Sequence, residues 1–280
     1  MDYIVAPLWY GACKKGPDLG ALRIANLFEE EGMSTYSRIV VSDEVQEYDT
    51  LMPYFDIIDK VNHVICDSVL TSLKLGRKVI TIGGDHAVSW GSIAGVLNYN
   101  PNIGVIYLDA HGDCNVAEYS NTHHIHGMHM AYLMGFGERE YVKRYTGNVL
   151  SVNNILYVGA RSLDIYEINL MHKYNVSSIP SDFINLNLVR TLEIINEFML
   201  RFNQIHISLD IDILDPSIAP GTGVPELNGI SEATLHEILN LILNEDKVKS
   251  MDIVEYNPLY DIDNKTDRVI QRLVKRLNHF

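Results

Sequence analysis

Three segments of the chain place aspartate and histidine directly after a run of apolar residues. Buried carboxylates are costly unless they pair with a positive group or bind a cation. A single aspartate after a strand is usually a helix cap or a turn residue, but three segments with the same pattern indicate a shared cation site. The residues concerned are His86 in the first segment, Asp109, His111 and Asp113 in the second, and Asp210 and Asp212 in the third.

The spacing of these residues favours metal ligation. Residues two apart in an extended chain point to the same side, so Asp109, His111 and Asp113 line one face, as do Asp210 and Asp212. Four carboxylates close together need counter-ions, and two divalent cations would balance them. Carboxylates with some imidazole and no thiolate suit manganese better than zinc or copper. Two such ions can share a water molecule and make it nucleophilic near neutral pH.

These segments belong to a chain in which short β-branched runs alternate with longer helical patterns. The alternation predicts one α/β domain over residues 1–280 with a parallel sheet that is covered on both faces. An open three-layer sheet and an eight-stranded barrel both fit, and in either case the chemistry lies at the carboxyl ends of the strands. The predicted strands cover residues 3–8, 37–41, 78–82, 104–108, 155–158, 176–179, 204–209 and 250–254. The predicted helices cover residues 21–31, 57–75, 88–97, 163–174, 186–200, 231–244 and 265–277.

The composition of the chain limits its partners. The formal net charge is -14, which argues against nucleic acid and anionic membranes, since both attract basic surfaces. No stretch approaches the roughly 20 apolar residues of a membrane span, and the first residues do not read as a signal peptide. Cys13, Cys66 and Cys114 form neither a disulfide framework nor a zinc motif. We therefore expect a cytoplasmic protein that acts on a small cationic molecule.

The three segments resemble the signature motifs of the arginase and agmatinase family, the ureohydrolases, and most closely those of bacterial arginases. The motifs lie at residues 83–86, 109–113 and 208–216, and further matches at 14–16, 126–128, 159–164 and 254–258 extend the resemblance over nearly the whole chain. The resemblance implies a three-layer α/β/α sandwich on an eight-stranded parallel sheet. It also implies assembly as a homo-oligomer, either a trimer or a hexamer.

The resemblance assigns a role to each metal-site residue. It implies two manganese ions per subunit, with Asp109 and Asp210 bridging them. His86 and Asp113 would complete the ligands of one ion, and His111 and Asp212 those of the other.

The resemblance also names the residues that act on the substrate. His126 matches the family's proton-transferring histidine, and Asp113 would accept a hydrogen bond from the bridging hydroxide. Glu255 matches the carboxylate that pairs with the guanidinium group, in a strong and orienting interaction. The implied reaction is attack of hydroxide on the guanidinium carbon, followed by collapse to urea and an amine.

The remaining site positions favour the arginase branch, which converts L-arginine to L-ornithine and urea. Two departures weaken that choice: His124 stands where arginases carry an asparagine, and Val224 stands where the family carries a threonine. Residues 220–226 also resemble agmatinases. Agmatinase, another guanidino-acid hydrolase and a non-catalytic metal-binding member are therefore the alternatives. The predicted substrate-binding residues are Asn115, Ser120, Thr122, His124, Asp164 and Glu255.

Two charged residues inside the motifs are interpreted as structural. Arg161 is expected to be an ion-pair partner rather than a catalytic group. Asp85, beside His86, is expected to orient a metal ligand, as carboxylates behind metal sites commonly do.

Overall fold

Eight parallel strands form one sheet in the computed structural model, which describes residues 1–33, 37–42, 52–278 and 280. The strands are β1 (Asp2–Ala6), β2 (Ser37–Arg38), β3 (Val79–Gly83), β4 (Gly104–Leu108), β5 (Ile155–Gly159), β6 (Ser177–Pro180), β7 (Ile205–Asp210) and β8 (Val248–Val254). Their order across the sheet is β2-β1-β3-β8-β7-β4-β5-β6.

Helices cover both faces of this sheet. They are α1 (Pro17–Glu30), α2 (Phe55–Lys74), α3 (Ser89–Tyr99), α4 (His129–Leu133), α5 (Ile165–Tyr174), α6 (Ser181–Leu186), α7 (Leu188–Met199), α8 (Glu232–Leu243) and α9 (Lys265–Leu277). One apolar cluster packs α2 to α5 against one face, and a second packs α1 and α6 to α9 against the other. The open three-layer sandwich is therefore confirmed, and the barrel is not formed.

Three elements differ from the sequence prediction. The strand expected at 37–41 pairs only over Ser37–Arg38. The helix expected at 186–200 is confirmed as α7, but α6 before it was not predicted, and the two are separated at Asn187, whose φ of -139° and ψ of 51° lie outside the helical region. Helix α4 was not predicted, because five residues are too few to show a helical period. Within the described residues, no helix is both long and apolar enough to cross a membrane.

The strand order explains why the three chemical segments meet. Strands β3, β8, β7 and β4 are consecutive neighbours in the sheet, and all of them run in the same direction. Their carboxyl ends therefore lie along one edge, where ligands bind in open α/β sheets. The last residue of β7 and the segments that follow β3, β4, β7 and β8 carry all of the predicted metal ligands and Glu255.

Candidate active site

His86, in the short turn after β3, lies beside three carboxylates from other strand ends. Its Nδ1 lies 3.0 Å from Asp109 Oδ2, 3.0 Å from Asp113 Oδ2 and 3.2 Å from Asp210 Oδ2. Ligand atoms on a six-coordinate divalent ion with bonds of about 2.1 Å lie about 3 Å apart. His86, Asp109 and Asp210 therefore have the spacing of ligands to one ion, and His86 and Asp113 form a similar group with His129.

His111 forms a second group with two carboxylates. Its Nδ1 lies 3.0 Å from Asp212 Oδ2 and 3.5 Å from Asp109 Oδ1. Asp109 thus turns one oxygen toward His86 and the other toward His111, as a carboxylate between two ions does. Asp210 contacts the first group through Oδ2, while its Oδ1 accepts the backbone N–H of Asp212 at 2.7 Å.

The negative charges of this centre need cations to balance them. Asp109, Asp113, Asp210 and Asp212 are all buried, and no lysine or arginine lines the cavity beside them in the described part of the chain. Burial, together with the charges of Asp212 and Asp109, raises the pKa of Asp210 well above its ordinary value. Among the described residues, Asp109 Oδ2 and His111 Nε2 have no hydrogen-bond partner. The donor set and its charge therefore fit the binding of divalent cations.

Asp85 fixes the backbone around His86. Its Oδ2 accepts the N–H groups of Gly11 and Ala12 at 2.7 and 3.1 Å, and its Oδ1 accepts that of Ala87 at 3.0 Å. Asp85 therefore ties the loop after β1 to the His86 turn. The expectation that it orients a ligand side chain is replaced by a role in holding the backbone on either side.

Two site residues adopt a backbone conformation that is uncommon outside glycine. Asp113 has a φ of 46° and Glu255 a φ of 64°, and such left-handed residues cluster at functional sites. Close packing restricts a third position, because a Cβ on Gly84 would lie 1.8 Å from the carbonyl oxygen of Leu8. The turns that present these side chains are therefore narrowly defined.

Glu255 and His126 meet beside the metal-ligand cluster. Glu255 Oε1 accepts the backbone N–H of His86 at 2.9 Å and lies 3.1 Å from His126 Nδ1. Burial lowers the pKa of His126, but the hydrogen bond to Glu255 and nearby carboxylates raise it above its ordinary value on balance. Glu255 Oε2 is buried and has no hydrogen-bond partner among the described residues. It is therefore available to a cationic group in the cavity.

A cavity of about 300 Å³ opens over this cluster. Its lining includes every predicted site residue except His86 and Asp109, which lie behind it in contact with the others. The structure thus brings the predicted metal ligands, His126, Glu255 and the predicted substrate-binding residues to one place. The predicted residues that line the cavity are His111, Asp113, Asn115, Ser120, Thr122, His124, His126, Asp164, Asp210, Asp212 and Glu255.

Polar residues at the outer part of the cavity are held by one another. Asn115 Nδ2 donates to Asp164 Oδ2 at 2.7 Å. Asp164 and Glu167 form a capping box at the start of α5, and Glu167 also accepts the backbone N–H of Cys114 at 3.0 Å. Burial raises the pKa of Glu167 to about 7, with nearby carboxylates adding to the effect against two backbone hydrogen bonds.

Residues 120–124, which include the departure from the family at His124, form the mouth of the cavity. Ser120 Oγ accepts the N–H of His123 at 3.0 Å, and Thr122 Oγ1 accepts the N–H of His124 at 3.3 Å. Val224, 41% exposed, lines the same cavity without a hydroxyl. The outer part of the site is therefore built from hydroxyls, imidazole and carboxylates.

Several residues that sequence reasoning missed lie within this site. Tyr107 OH donates to Asp113 Oδ2 at 2.7 Å and lies 3.2 Å from both His86 Nδ1 and His129 Nε2. Burial, with the charge of His86, lowers the pKa of His129 to about 4. Alternation along β4 gives a signal for Tyr107, since it stands two residues before Asp109. Glu226 was also missed, and its Oε1 lies 3.9 Å from the ring of His111.

Arg161 has a structural role, as expected, but with different partners. Its guanidinium donates to backbone carbonyl oxygens, including those of Asp212 at 2.8 Å, Glu226 at 2.9 Å and Leu227 at 3.0 Å. It therefore joins the segment after β7 to the cavity wall. Lys14 holds the same wall, because its Nζ donates to the carbonyl oxygen of Gly223 at 2.8 Å.

Comparisons with known proteins agree with this geometry. The Arginase family profile matches residues 6–279. The arginase of Staphylococcus aureus (strain COL) is 34% identical over 281 residues, which cover 95% of this chain and 92% of that protein. The 1.7 Å structure of arginase from Bacillus subtilis subsp. subtilis str. 168 is 28% identical, with a TM-score of 0.91 and coverage of 99% and 97%. Entamoeba histolytica arginase in complex with L-ornithine is also 28% identical, with a TM-score of 0.88 and coverage of 98% and 96%.

The profile spans nearly the whole chain, and the curated relative exceeds 30% identity over almost its full length. The resemblance to ureohydrolases is therefore confirmed, as is the eight-stranded parallel fold. The chain belongs to the Arginase family of metal-dependent ureohydrolases, which cleave C–N bonds of linear amidines.

Proposed function

We propose that this protein is an arginase that hydrolyses L-arginine to L-ornithine and urea with two manganese ions per subunit. The observation that carries the proposal is the joining of two carboxylate–imidazole groups through Asp109, beside a buried Glu255 oxygen without a partner. The curated relative from Staphylococcus aureus is named an arginase, and the Entamoeba histolytica enzyme is in complex with L-ornithine.

The proposed metal ligands follow from the family resemblance and from contacts between the side chains. His86, Asp109, Asp113 and Asp210 would hold one ion, and His111 and Asp212 would hold the other together with Asp109 and Asp210. Oxygen-rich ligand sets with some imidazole favour manganese. Bound in this way, the ions would polarise a shared water molecule so that it becomes nucleophilic near neutral pH.

The protein's own groups then position the substrate and move a proton. Glu255 Oε1 is occupied by His86 N–H and His126, so Oε2 is the oxygen left to pair with the guanidinium. Because Nδ1 of His126 faces Glu255, Nε2 is the ring nitrogen left to carry a proton to the leaving amine. The raised pKa of His126 favours its acid form, which suits a proton donor.

The outer cavity would bind the amino-acid end of arginine. Asp164 would accept hydrogen bonds from the α-amino group. Asn115, Ser120, Thr122 and His124 would surround the α-carboxylate. In this role His124 would be a hydrogen-bond donor that can also carry a positive charge. An asparagine at this position could donate a hydrogen bond but could not carry a charge.

Agmatinase is the second candidate, and one feature of the cavity favours it. Asp164, Glu167 and Glu226 line its outer part, and no lysine or arginine lines it within the described chain. Such a surface accepts a substrate that has an amine and no carboxylate at its far end. The observation that favours arginine instead is the hydrogen bond between Asn115 and Asp164, because both residues are proposed to bind the amino-acid end of arginine.

The function is tested with chelated protein to which Mn²⁺ is added back. We expect urea release from L-arginine only after the addition, with loss of most activity in Glu255→Gln and little change in Glu118→Gln, an exposed control. Urea release that does not depend on metal, or that survives in Glu255→Gln, would contradict the proposal.

We further propose that residues 1–280 form one ureohydrolase domain that assembles as a trimer or hexamer in the cytoplasm. One sheet with both faces covered supports a single domain. Cys66 and Cys114 are free thiols, as is usual in a reducing compartment. Sedimentation of the purified protein measures the assembly directly.

A further inference from the structure

A row of polar side chains lies buried beneath the metal-ligand cluster, between β7, β8 and helix α3. Alternation along β7 places His206 and Ser208 on the same face as Asp210, and the strand register pairs Ser208 with Asp252 on β8. Each member is at most 1% exposed, although apolar residues surround the row. The members of this buried polar row are Ser89, Ser92, His206, Ser208, Ser250 and Asp252.

The row begins at the imidazole of His86. His86 Nε2 lies 2.8 Å from Ser208 Oγ, while Nδ1 of the same ring faces the carboxylate cluster. If Nδ1 offers its lone pair to a cation, Nε2 must carry the hydrogen and donate it to Ser208. The hydroxyl hydrogen of Ser208 is then directed onward to Ser89 Oγ, 3.4 Å away.

The row ends at the carboxylate of Asp252. Asp252 Oδ1 accepts the hydroxyl of Ser92 at 2.5 Å, and Oδ2 lies 3.1 Å from His206 Nε2. Burial by itself raises the pKa of Asp252, but His206 and the hydrogen bond from Ser92 bring it below its ordinary value. Ser250 Oγ, 2.9 Å from Nδ1, satisfies the other ring nitrogen of His206. Asp252 thus accepts the donors at this end of the row.

We propose that the buried polar row is a positioning network for the metal ligand His86, in which hydrogen bonds run from Nε2–H through Ser208 to Ser89. This order of donors holds Nδ1 toward the cation and fixes the angle of the ring. The inference rests on the proposed metal role of His86. Hydrogen-bonded partners behind a metal-binding histidine fix its tautomer and raise its basicity, and their loss typically costs about 10- to 100-fold in metal affinity.

If the row served only to stabilise the fold, substitutions in it would change the stability of the protein without changing its metal affinity. Buried polar groups cost free energy when their partners are removed, so any truncation in the row would lower the stability of the metal-free fold. Only a positioning role links the same hydroxyls to metal affinity. A matched control is available in Ser72, which is also fully buried and donates to a carboxylate, Asp2, at 2.9 Å, but contacts none of the site residues.

The test compares the wild type with Ser208→Ala, Ser89→Ala and the control Ser72→Ala. The Mn²⁺ dissociation constant is measured by competition with a metal-binding dye, and thermal unfolding of chelated protein reports stability. We expect affinity to fall about tenfold or more in Ser208→Ala and by a smaller factor in Ser89→Ala, with wild-type affinity in Ser72→Ala.

Each other outcome has a definite meaning. Equal affinities in Ser208→Ala and Ser72→Ala would overturn the network, even if both variants lose stability. Weaker binding in Ser208→Ala with wild-type affinity in Ser89→Ala would overturn its extension to Ser89. A wild type that binds no Mn²⁺ would overturn the proposed function, and the inference with it.

Discussion

His126 and Glu255 face each other across 3.1 Å, from His126 Nδ1 to Glu255 Oε1, at the wall of the cavity that holds the metal-ligand cluster. His126 comes from the loop after β4, and Glu255 follows β8. The contact occupies one nitrogen of the imidazole. In the proposed mechanism, Glu255 would bind the guanidinium and the other nitrogen of His126 would protonate the leaving amine.

Replacement of His126 by alanine is expected to slow turnover without removing metal. General acid catalysis contributes about 100- to 10,000-fold, so kcat is expected to fall within that range. Steady-state kinetics give the rate, and elemental analysis gives the metal content. His123→Ala, three residues away, is the control. An unchanged kcat in His126→Ala would remove this residue from the reaction.

Asp210→Ala is expected to lose metal and activity together. Asp210 Oδ2 lies 3.2 Å from His86 Nδ1, and the proposed role of Asp210 is to bridge both ions. Elemental analysis after dialysis against Mn²⁺ measures the number of ions per chain, with the exposed Asp246→Ala as control. Two retained ions in Asp210→Ala would contradict the bridging role.

Val224→Thr restores the threonine that the family carries at this position, in the cavity where Glu255 is proposed to pair with the guanidinium. Val224 lines the same cavity as Glu255, whose Oε2 has no hydrogen-bond partner among the described residues. A new hydroxyl there would contribute about 0.5–1.5 kcal/mol, so kcat/KM for arginine is expected to rise about two- to tenfold. Val224→Ala separates the hydroxyl from the change in size. A threonine variant no better than the wild type would show that valine suits the substrate.

Asp164→Asn tests recognition of the α-amino group. The variant keeps the size of the side chain and an oxygen for the start of α5, but it removes the charge that the amino group would contact. We expect KM for arginine to rise about tenfold, with kcat less affected. Similar KM values in wild type and variant would place the amino group elsewhere.

The ion pair between Asp59 and Arg144 gives a prediction of stability against pH. Arg144 contacts both oxygens of Asp59, at 2.8 and 2.9 Å. Burial raises the pKa of Asp59, but Arg144 and Tyr145 lower it below its ordinary value on balance. The pair therefore stabilises the fold above the unfolded-state pKa of about 3.9, and this contribution is lost as pH falls through the lower folded-state value.

The measurement for this pair is chemical unfolding of the wild type and Asp59→Asn at several pH values. Because Arg144 is partly exposed, we expect a difference of about 0.5 kcal/mol at pH 7 that shrinks in acid. A difference that grows as pH falls would contradict the assignment. The exposed pair of Arg190 and Glu193, removed by Glu193→Gln, serves as the control.

Local patterns were enough to predict most of the fold and the carboxylates and imidazoles that the structure brings together. The alternation in 109–113 and 210–212 predicted side chains on one face, and apolar runs marked the strands that carry them. The short helices α4 and α6, the second of which ends at the non-helical Asn187, were missed because they depend on tertiary packing and on a single backbone angle. Propensity over a sequence window does not contain either kind of information.

Residues behind the ligands were harder to find from sequence. His206 and Asp252 lie on different strands, and only the register between β7 and β8 brings them together. In the sequence, Tyr107 fits the apolar pattern of a buried strand. Only the structure shows that its hydroxyl donates to Asp113. Predicting such contacts requires knowledge of which strands are neighbours, and the order of the chain does not give it.

Urea release from the manganese-loaded protein, measured side by side with L-arginine, agmatine and guanidinobutyrate, tests the central claim most directly. We predict that kcat/KM for L-arginine exceeds that for either other compound by at least about tenfold, because both ends of arginine would find partners in the cavity. Turnover of agmatine or guanidinobutyrate without turnover of arginine would contradict the proposed function.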